Sequence, residues 1–129
     1  MSEELALDVR VVASDRMVWS GEASSLIART LIGELGILPR HEPVLALLDD
    51  GEVKITLTDE SVLRVAVHRG FLTVDSDSVT ILADSAELAD DIDVARAEAA
   101  VRAHADANDE EAAAALRRAV VRLEVAASH

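Results

Sequence analysis

The chain has 129 residues, 25 acidic against 12 basic side chains for a formal net charge of -13, and no cysteine. That length suits one compact domain, or a small domain with an appendage, and the charge opposes phosphate backbones and anionic lipid, so no nucleic acid partner is expected. Without cysteine, disulfides and thiolate metal sites are excluded, which points to a cytosolic protein with no structural metal, and with Trp19 and Phe71 as the only aromatics the core must be built from Val, Ile, Leu and Ala.

The opening MSEELALDV is acidic and lacks the positive start and apolar run of a signal peptide, so export is not expected. Leu5, Leu7, Val9 and Val11 alternate with period two and predict a half-buried strand. A turn at Ser20-Gly21 leads to a strand over residues 25–30. The next stretch, GELGILPRHEPVLALL over residues 33–48, reads from its residues as a tight loop running into a strand over 44–48. Gly33 and Gly36 would supply positive φ or close backbone approach, Pro39 and Pro43 would stiffen the chain, and His41 would be a hydrogen-bonded structural histidine.

Asp49-Asp50-Gly51 predicts a turn, followed by Val53, Ile55 and Leu57 opposite Lys54, Thr56 and Thr58. Leu63, Val65 and Val67 then alternate with Arg64 and His68, and Arg69-Gly70 predicts another turn. Strands over 71–75 and 79–83 flank a turn at Asp75-Ser76-Asp77. Seven short runs within about eighty residues leave no room for crossover helices, so residues 1–86 are expected to form an antiparallel β-sandwich domain.

After Ser85 the β-branched runs stop and alanine dominates. Over residues 87–106, Leu88, Ile92, Ala95, Ala99 and Ala103 fall at helical spacing and give a narrow stripe of mostly small side chains. A break at residues 106–109 precedes a second helix with Ala112, Leu116, Ala119, Val120, Leu123 and Ala127 on one side and Asn108 with Glu111 as its capping box. Residues 87–129 thus predict an α-helical hairpin that buries little area. Held by a few kcal/mol at most, by rough estimate, it could exist in more than one arrangement. Arg117, Arg118 and Arg122 form a local basic cluster, either a solvated face with intrahelical pairs or a contact for an acidic partner.

No nucleophile motif, phosphate-cradling glycine loop or metal-ligand spacing is present, and adjacent Asp49 and Asp50 are ordinary turn chemistry rather than a hydrolytic pair. The residues alone support a sandwich plus hairpin, which would also suit a stand-alone ligand- or peptide-binding module. Four segments go further. G-E-L-G-I-L-P-R-H-E-P, V-A-V-H-R-G-F-L-T-V, V-T-I-L-A-D-S-A-E and I-D-V-A-R-A, in this order across essentially the whole chain, resemble the epsilon subunit of the bacterial F-type ATP synthase. Two departures stand out: Arg40 replaces the usual glycine, and His68-Arg69 precede Gly70 where small residues are common.

The resemblance implies a non-catalytic subunit of the rotating central stalk, peripheral at the cytoplasmic face of the plasma membrane and without direct membrane insertion. Its sandwich would grip the gamma subunit and rest on the c-subunit ring through Glu34, with Arg40 and His41 beside it. The helices would switch between a compact hairpin and an extended, hydrolysis-inhibiting form in which Arg117, Arg118 and Arg122 meet an acidic segment of a catalytic β subunit. No cofactor is required, but ATP is implied as a regulatory ligand, with Glu87, Ile92, Asp93 and Ala97 at the adenosine and Arg96 with Arg118 or Arg122 at the phosphates. Ala103 stands where ATP-binding relatives carry another basic residue, with Arg102 adjacent, so weak binding is expected. Read without the resemblance, Asp93 is a helix cap and Arg96 a member of a surface ion pair.

Overall fold

Apolar side chains at alternate positions build six strands, and the structure, a computed structural model describing residues 6–106 and 108–128, joins them into one sheet that closes on itself. The strands are β1 (Leu7–Ala13), β2 (Arg16–Thr30), β3 (Gly33–Ile37), β4 (Val44–Leu57), β5 (Val62–Asp75) and β6 (Ser78–Leu88). Leu5, expected in the first strand, lies outside the described residues. Sheet order is β1-β6-β5-β4-β2-β3, and a further β1–β2 pairing closes the ring. Five strands make up that ring, with β3 attached to β2. An odd ring cannot alternate direction throughout. One pair must therefore be parallel, and it is β1–β6, a departure from the all-antiparallel expectation. The inward side chains, including Leu7, Val9, Val11, Leu26, Ile37, Ile55, Leu72 and Ile81, are fully buried in one core.

Three expected turns are not chain reversals. Gly21 pairs with Val9 inside β2, Gly51 with Val67 inside β4, and Gly70 with both Leu48 and Ala83 inside β5. The turn-forming residues there lie inside long strands, and ladder hydrogen bonds to neighbouring strands outweigh the local turn preference. At Gly70 the reason for glycine is steric: a Cβ would stand 2.1 Å from the Leu82 carbonyl oxygen. The turn at Asp75-Ser76-Asp77 does form. Ser76 and Asp77 have φ of 52° and 68°, the left-handed pair of a two-residue hairpin loop.

The stretch expected as a loop also contains a strand. Leu35 and Ile37 alternate with Glu34 and Gly36, and β3 pairs antiparallel with β2 from Leu26↔Ile37 to Thr30↔Gly33. Its glycines obscured this alternation. The actual turn is confined to Leu38–His41, where the His41 amide donates to the Leu38 carbonyl at 3.1 Å.

Two helices follow, α1 (Val94–Ala103) and α2 (Glu110–Ser128). The first starts later than its periodicity predicts because Glu87 and Leu88 still pair with Ala66 and Val65 on β5, and a 3-10 turn occupies Ala89–Asp91. Asp93 caps α1 by accepting from the Arg96 amide at 3.0 Å. The cap of α2 is Asp109 rather than Asn108: its carboxylate accepts from the Ala112 amide at 2.8 Å. The expected stripe Ala95, Ala99 and Ala103 is exposed, and Ala97, with Ala100, Val101 and His104 partly covered, forms the inner face. Alanine occurs on all sides of VARAEAAVRA, so periodicity could not select a face.

Packing on the sandwich is done by α2, while α1 packs on α2. Val121 and Val125 join Ala66, Ala89 and Ile92 in a small second cluster separate from the sandwich core. Val120 and Ala127, expected inside, are exposed.

Gly70→Ala is expected to destabilise the chain by about 3 kcal/mol, the upper range for overpacking against an unyielding neighbour. Gly36→Ala, where no atom lies within 4 Å of the added Cβ, should change stability by less than about 0.5 kcal/mol. Urea unfolding of the two variants checks both values.

Candidate functional site: the hairpin groove and the sandwich edge

The end of β6, the start of α1 and the middle of α2 converge on a groove of about 250 Å³ lined by Glu87, Asp93, Arg96, Ala97, Ala100, Ala115, Arg118 and Arg122. Ala97, Ala100 and Ala115 let the helices approach closely and leave space between longer rim side chains. Three guanidinium groups face two carboxylates across that space. One carboxylate, Asp93, is committed to capping α1. The other, Glu87, accepts a charge-assisted hydrogen bond from Arg122 Nε, with the two side chains 27% and 29% exposed. Of the seven residues expected around a nucleotide, six line this groove. Ile92 does not; it is buried in the small cluster with Val121 and Val125.

The arginine cluster is divided by the structure. Arg122 points to Glu87, whereas Arg117 Nε lies 4.0 Å from Asp50 Oδ2, and Arg118 stands between these contacts, lining the groove with Arg122 and a second hollow beside Asp50 and Arg117. Two arginines thus tie α2 to the sandwich. Asp50 also accepts the Arg69 amide at 3.0 Å, holding the left-handed Arg69 (φ 54°) in place. In the sequence Asp50 has only the signature of a turn residue, because the partners that define this role lie 19 and 67 positions away.

His68, expected to alternate to the exposed side, is buried beneath α2. The run Val65, Ala66, Val67 and His68 is buried throughout. The apolar triplet before His68, with no polar alternation, was the available signal for a strand covered on both faces.

A second surface lies at the edge of the sandwich. The β2–β3 turn is closed by Thr30: its hydroxyl donates to the Gly33 carbonyl at 2.6 Å and accepts the Ile32 amide at 3.2 Å. Leu31 and Ile32 are left outward at the tip, 62% and 99% exposed, opposite exposed Leu45 and Leu47 of β4. Together they border an apolar groove of about 470 Å³, with Glu34 among its lining residues. Arg40 and His41 are elsewhere, beyond the other end of β3. Arg40 is left-handed (φ 69°), a conformation suited to the glycine usual in the resembled family, and its amide donates to Asp77 Oδ1 at 2.6 Å. The His41 ring bonds through Nδ1–H to the Glu42 carbonyl at 2.7 Å.

The model of the ATP synthase delta/epsilon chain β-sandwich domain matches residues 6–89. An ATP synthase epsilon chain of Streptomyces griseus is 48% identical over 94% of this chain and 95% of its own, and one of Mycobacterium avium is 50% identical over 84% and 87%. The chain belongs to the ATP synthase epsilon-chain family. Its fold is similar to that of a chain in the mitochondrial ATP synthase of Euglena gracilis, with TM-score 0.71 at 23% identity over 97% of this chain and 82% of that one. A chain of the Tetrahymena thermophila ATP synthase central stalk and c-ring structure gives a TM-score of 0.62 at 18% identity, covering 95% of this chain and 96% of its own. The epsilon-chain sandwich model ends one residue beyond β6, so both surfaces can be placed: the edge groove is inside that domain and the hairpin groove straddles its end.

Either Arg122→Ala or Glu87→Ala should weaken hairpin docking by about 1 kcal/mol, a value kept low because both groups retain some solvent. Amide exchange along α2 should accelerate about fivefold in each single variant and little further in the double variant.

Proposed function

We propose that this chain is a non-catalytic rotor subunit of a bacterial F-type ATP synthase, taking part in coupling proton flow to ATP synthesis and restraining ATP hydrolysis through its helices. The observation that carries this reading, beyond family membership, is the apolar edge groove. Leu31, Ile32, Leu45 and Leu47 are exposed together on an otherwise acidic molecule, the pattern of a surface covered by a protein partner. The gamma subunit is the proposed partner for the apolar edge. Glu34, at the same groove, is proposed to meet the polar loops of the c ring, with Arg40 and His41 at a separate flank of the contact. No helix among the described residues is long and apolar enough to cross a membrane. Attachment to the cytoplasmic face of the plasma membrane is therefore proposed to run through these subunits.

The hairpin is proposed to be the regulatory part. In the compact form Arg117 and Arg122 are held by Asp50 and Glu87. Extension would release them, with Arg118, toward an acidic segment of a catalytic β subunit, so that the same charges stabilise either arrangement. ATP is proposed as a ligand of the compact form in the groove between Arg96, Arg118 and Arg122. At about 100 times its dissociation constant, it would favour that form by roughly 2.7 kcal/mol.

Co-expression with the gamma subunit should yield a 1:1 complex, and the pair Leu45→Asp with Leu47→Asp should weaken it at least about tenfold while leaving the sandwich folded. A folded chain that does not co-elute with gamma would favour a stand-alone binding module.

Calorimetry of the isolated chain with millimolar ATP should show weak binding that Arg96→Ala removes. No heat, or heat indifferent to Arg96→Ala, would leave Asp93 and Arg96 as helix-terminal residues only. In the assembled enzyme, Arg118→Glu with Arg122→Glu should raise ATP hydrolysis and leave synthesis largely intact; unchanged hydrolysis would remove the inhibitory role.

A further inference from the structure

His68 projects from the outer face of β5 into the contact with α2. It is 1% exposed, and the hollow beside it is walled by Asp50, Arg69, Asp84 and Ser85 on the sandwich and by Ala114, Arg117 and Arg118 on α2. Neither ring nitrogen has a hydrogen-bond partner among the described residues. The side chains clustered next along this contact are apolar: Ala66, Val121 and Val125. An imidazole here therefore carries a desolvation cost that an apolar residue would not.

We propose that His68 makes docking of the helical hairpin proton-linked: α2 covers the neutral imidazole, and uptake of a proton drives the helix off the sandwich. The surrounding charges explain the direction. Arg117, Arg118 and Arg122 come from α2, Asp50 from β4, Asp84 and Glu87 from β6, and Arg69 from the same strand as His68. The two carboxylates best placed to balance an imidazolium are already engaged. Asp50 accepts the Arg69 amide and faces Arg117, and Glu87 accepts from Arg122. A proton on His68 therefore either stands uncompensated near Arg118 and Arg122 or draws away the carboxylates that latch α2. Both outcomes weaken the docked form.

Burial, followed by the positive charge of Arg122, lowers the His68 pKa from 6.5 to about 4, while Asp50 and Glu87 act in the opposite sense. Release of α2 returns the ring to water and to an ordinary value of about 6.5. Above pH 6.5 the ring is neutral in both forms, and docking has its full strength. As pH falls from 6.5 toward 4, only the released form takes up the proton, and docking is progressively lost. Between about pH 7 and pH 5 the ratio of released to docked hairpin should rise about 20-fold.

The lack of cysteine allows the full chain to be labelled at two chosen positions, Thr58→Cys and Ser128→Cys, both exposed. Energy transfer between the labels reports docking without a functional assay, independently of the proposed role in ATP synthase. The expected result is the roughly 20-fold rise on acidification with His68 present and less than about a threefold rise with His68→Gln, which cannot titrate. Proton NMR of the His68 ring in the unsubstituted chain should give a midpoint below about pH 6. An undiminished pH response in His68→Gln overturns the proposal. So does a His68 midpoint near the ordinary 6.5 while the hairpin remains docked, a measurement that decides the matter even if His68→Gln loosens the hairpin by itself.

Discussion

Closure of the sheet by β1, paired with β2 on one side and β6 on the other, is the constraint on which the rest of the molecule depends. It seals the main core within the strands. That core contains no residue of α1 or α2, and the helices contribute only to the separate cluster over Ala66. Departure of the hairpin would consequently leave the centre of the sandwich covered. A sandwich core without helix residues is the physical condition for the two-position hairpin proposed above, since the two positions must differ by only a few kcal/mol, by rough estimate.

The same closure determines which charged groups share a face. Strands β4, β5 and β6 lie side by side, with α2 packed on β4 and β5 and tied to β6 through Arg122 and Glu87, so Asp50, His68 and Glu87 come together although they are well separated in the chain. In an acidic protein the few basic side chains are used locally. Arg117 and Arg122 answer Asp50 and Glu87, and the alanines between them keep the helices close enough for a groove to form beside the latch. Adhesion by a small apolar cluster and two partly solvated ion pairs is modest. It is also selective, because each latch has one specified partner on the sandwich.

The edge groove follows a different rule. Ile32 and Leu31 sit at a hairpin tip that Thr30 pins from within, so apolar side chains are held outward by a turn with its polar groups satisfied. A rigid apolar tip loses little entropy when a partner covers it. The two surfaces thus differ in kind: one is preformed on strands, while the other exists only as long as α2 stays docked.

Much was legible in the sequence. Period-two alternation marked runs from Leu7 to Val11, Val53 to Leu57 and Leu63 to Val67 that lie inside β1, β4 and β5, and the change to alanine after Ser85 marked the helical hairpin, because these depend on neighbours within a few residues. The four segments that resemble the epsilon subunit determined the family. Only the tertiary structure decided that strands run through Gly21, Gly51 and Gly70 instead of ending there, since ladder bonds to neighbouring strands replace the turn. It also decided which alanine face of α1 is inside, because a helix with alanine all round has no preferred side until another surface selects one. The burial of His68 and the pairing of Asp50 with Arg117 and Glu87 with Arg122 belong to the same class. Such contacts depend on which strands lie side by side, and side-chain pattern within a single strand does not encode its neighbours.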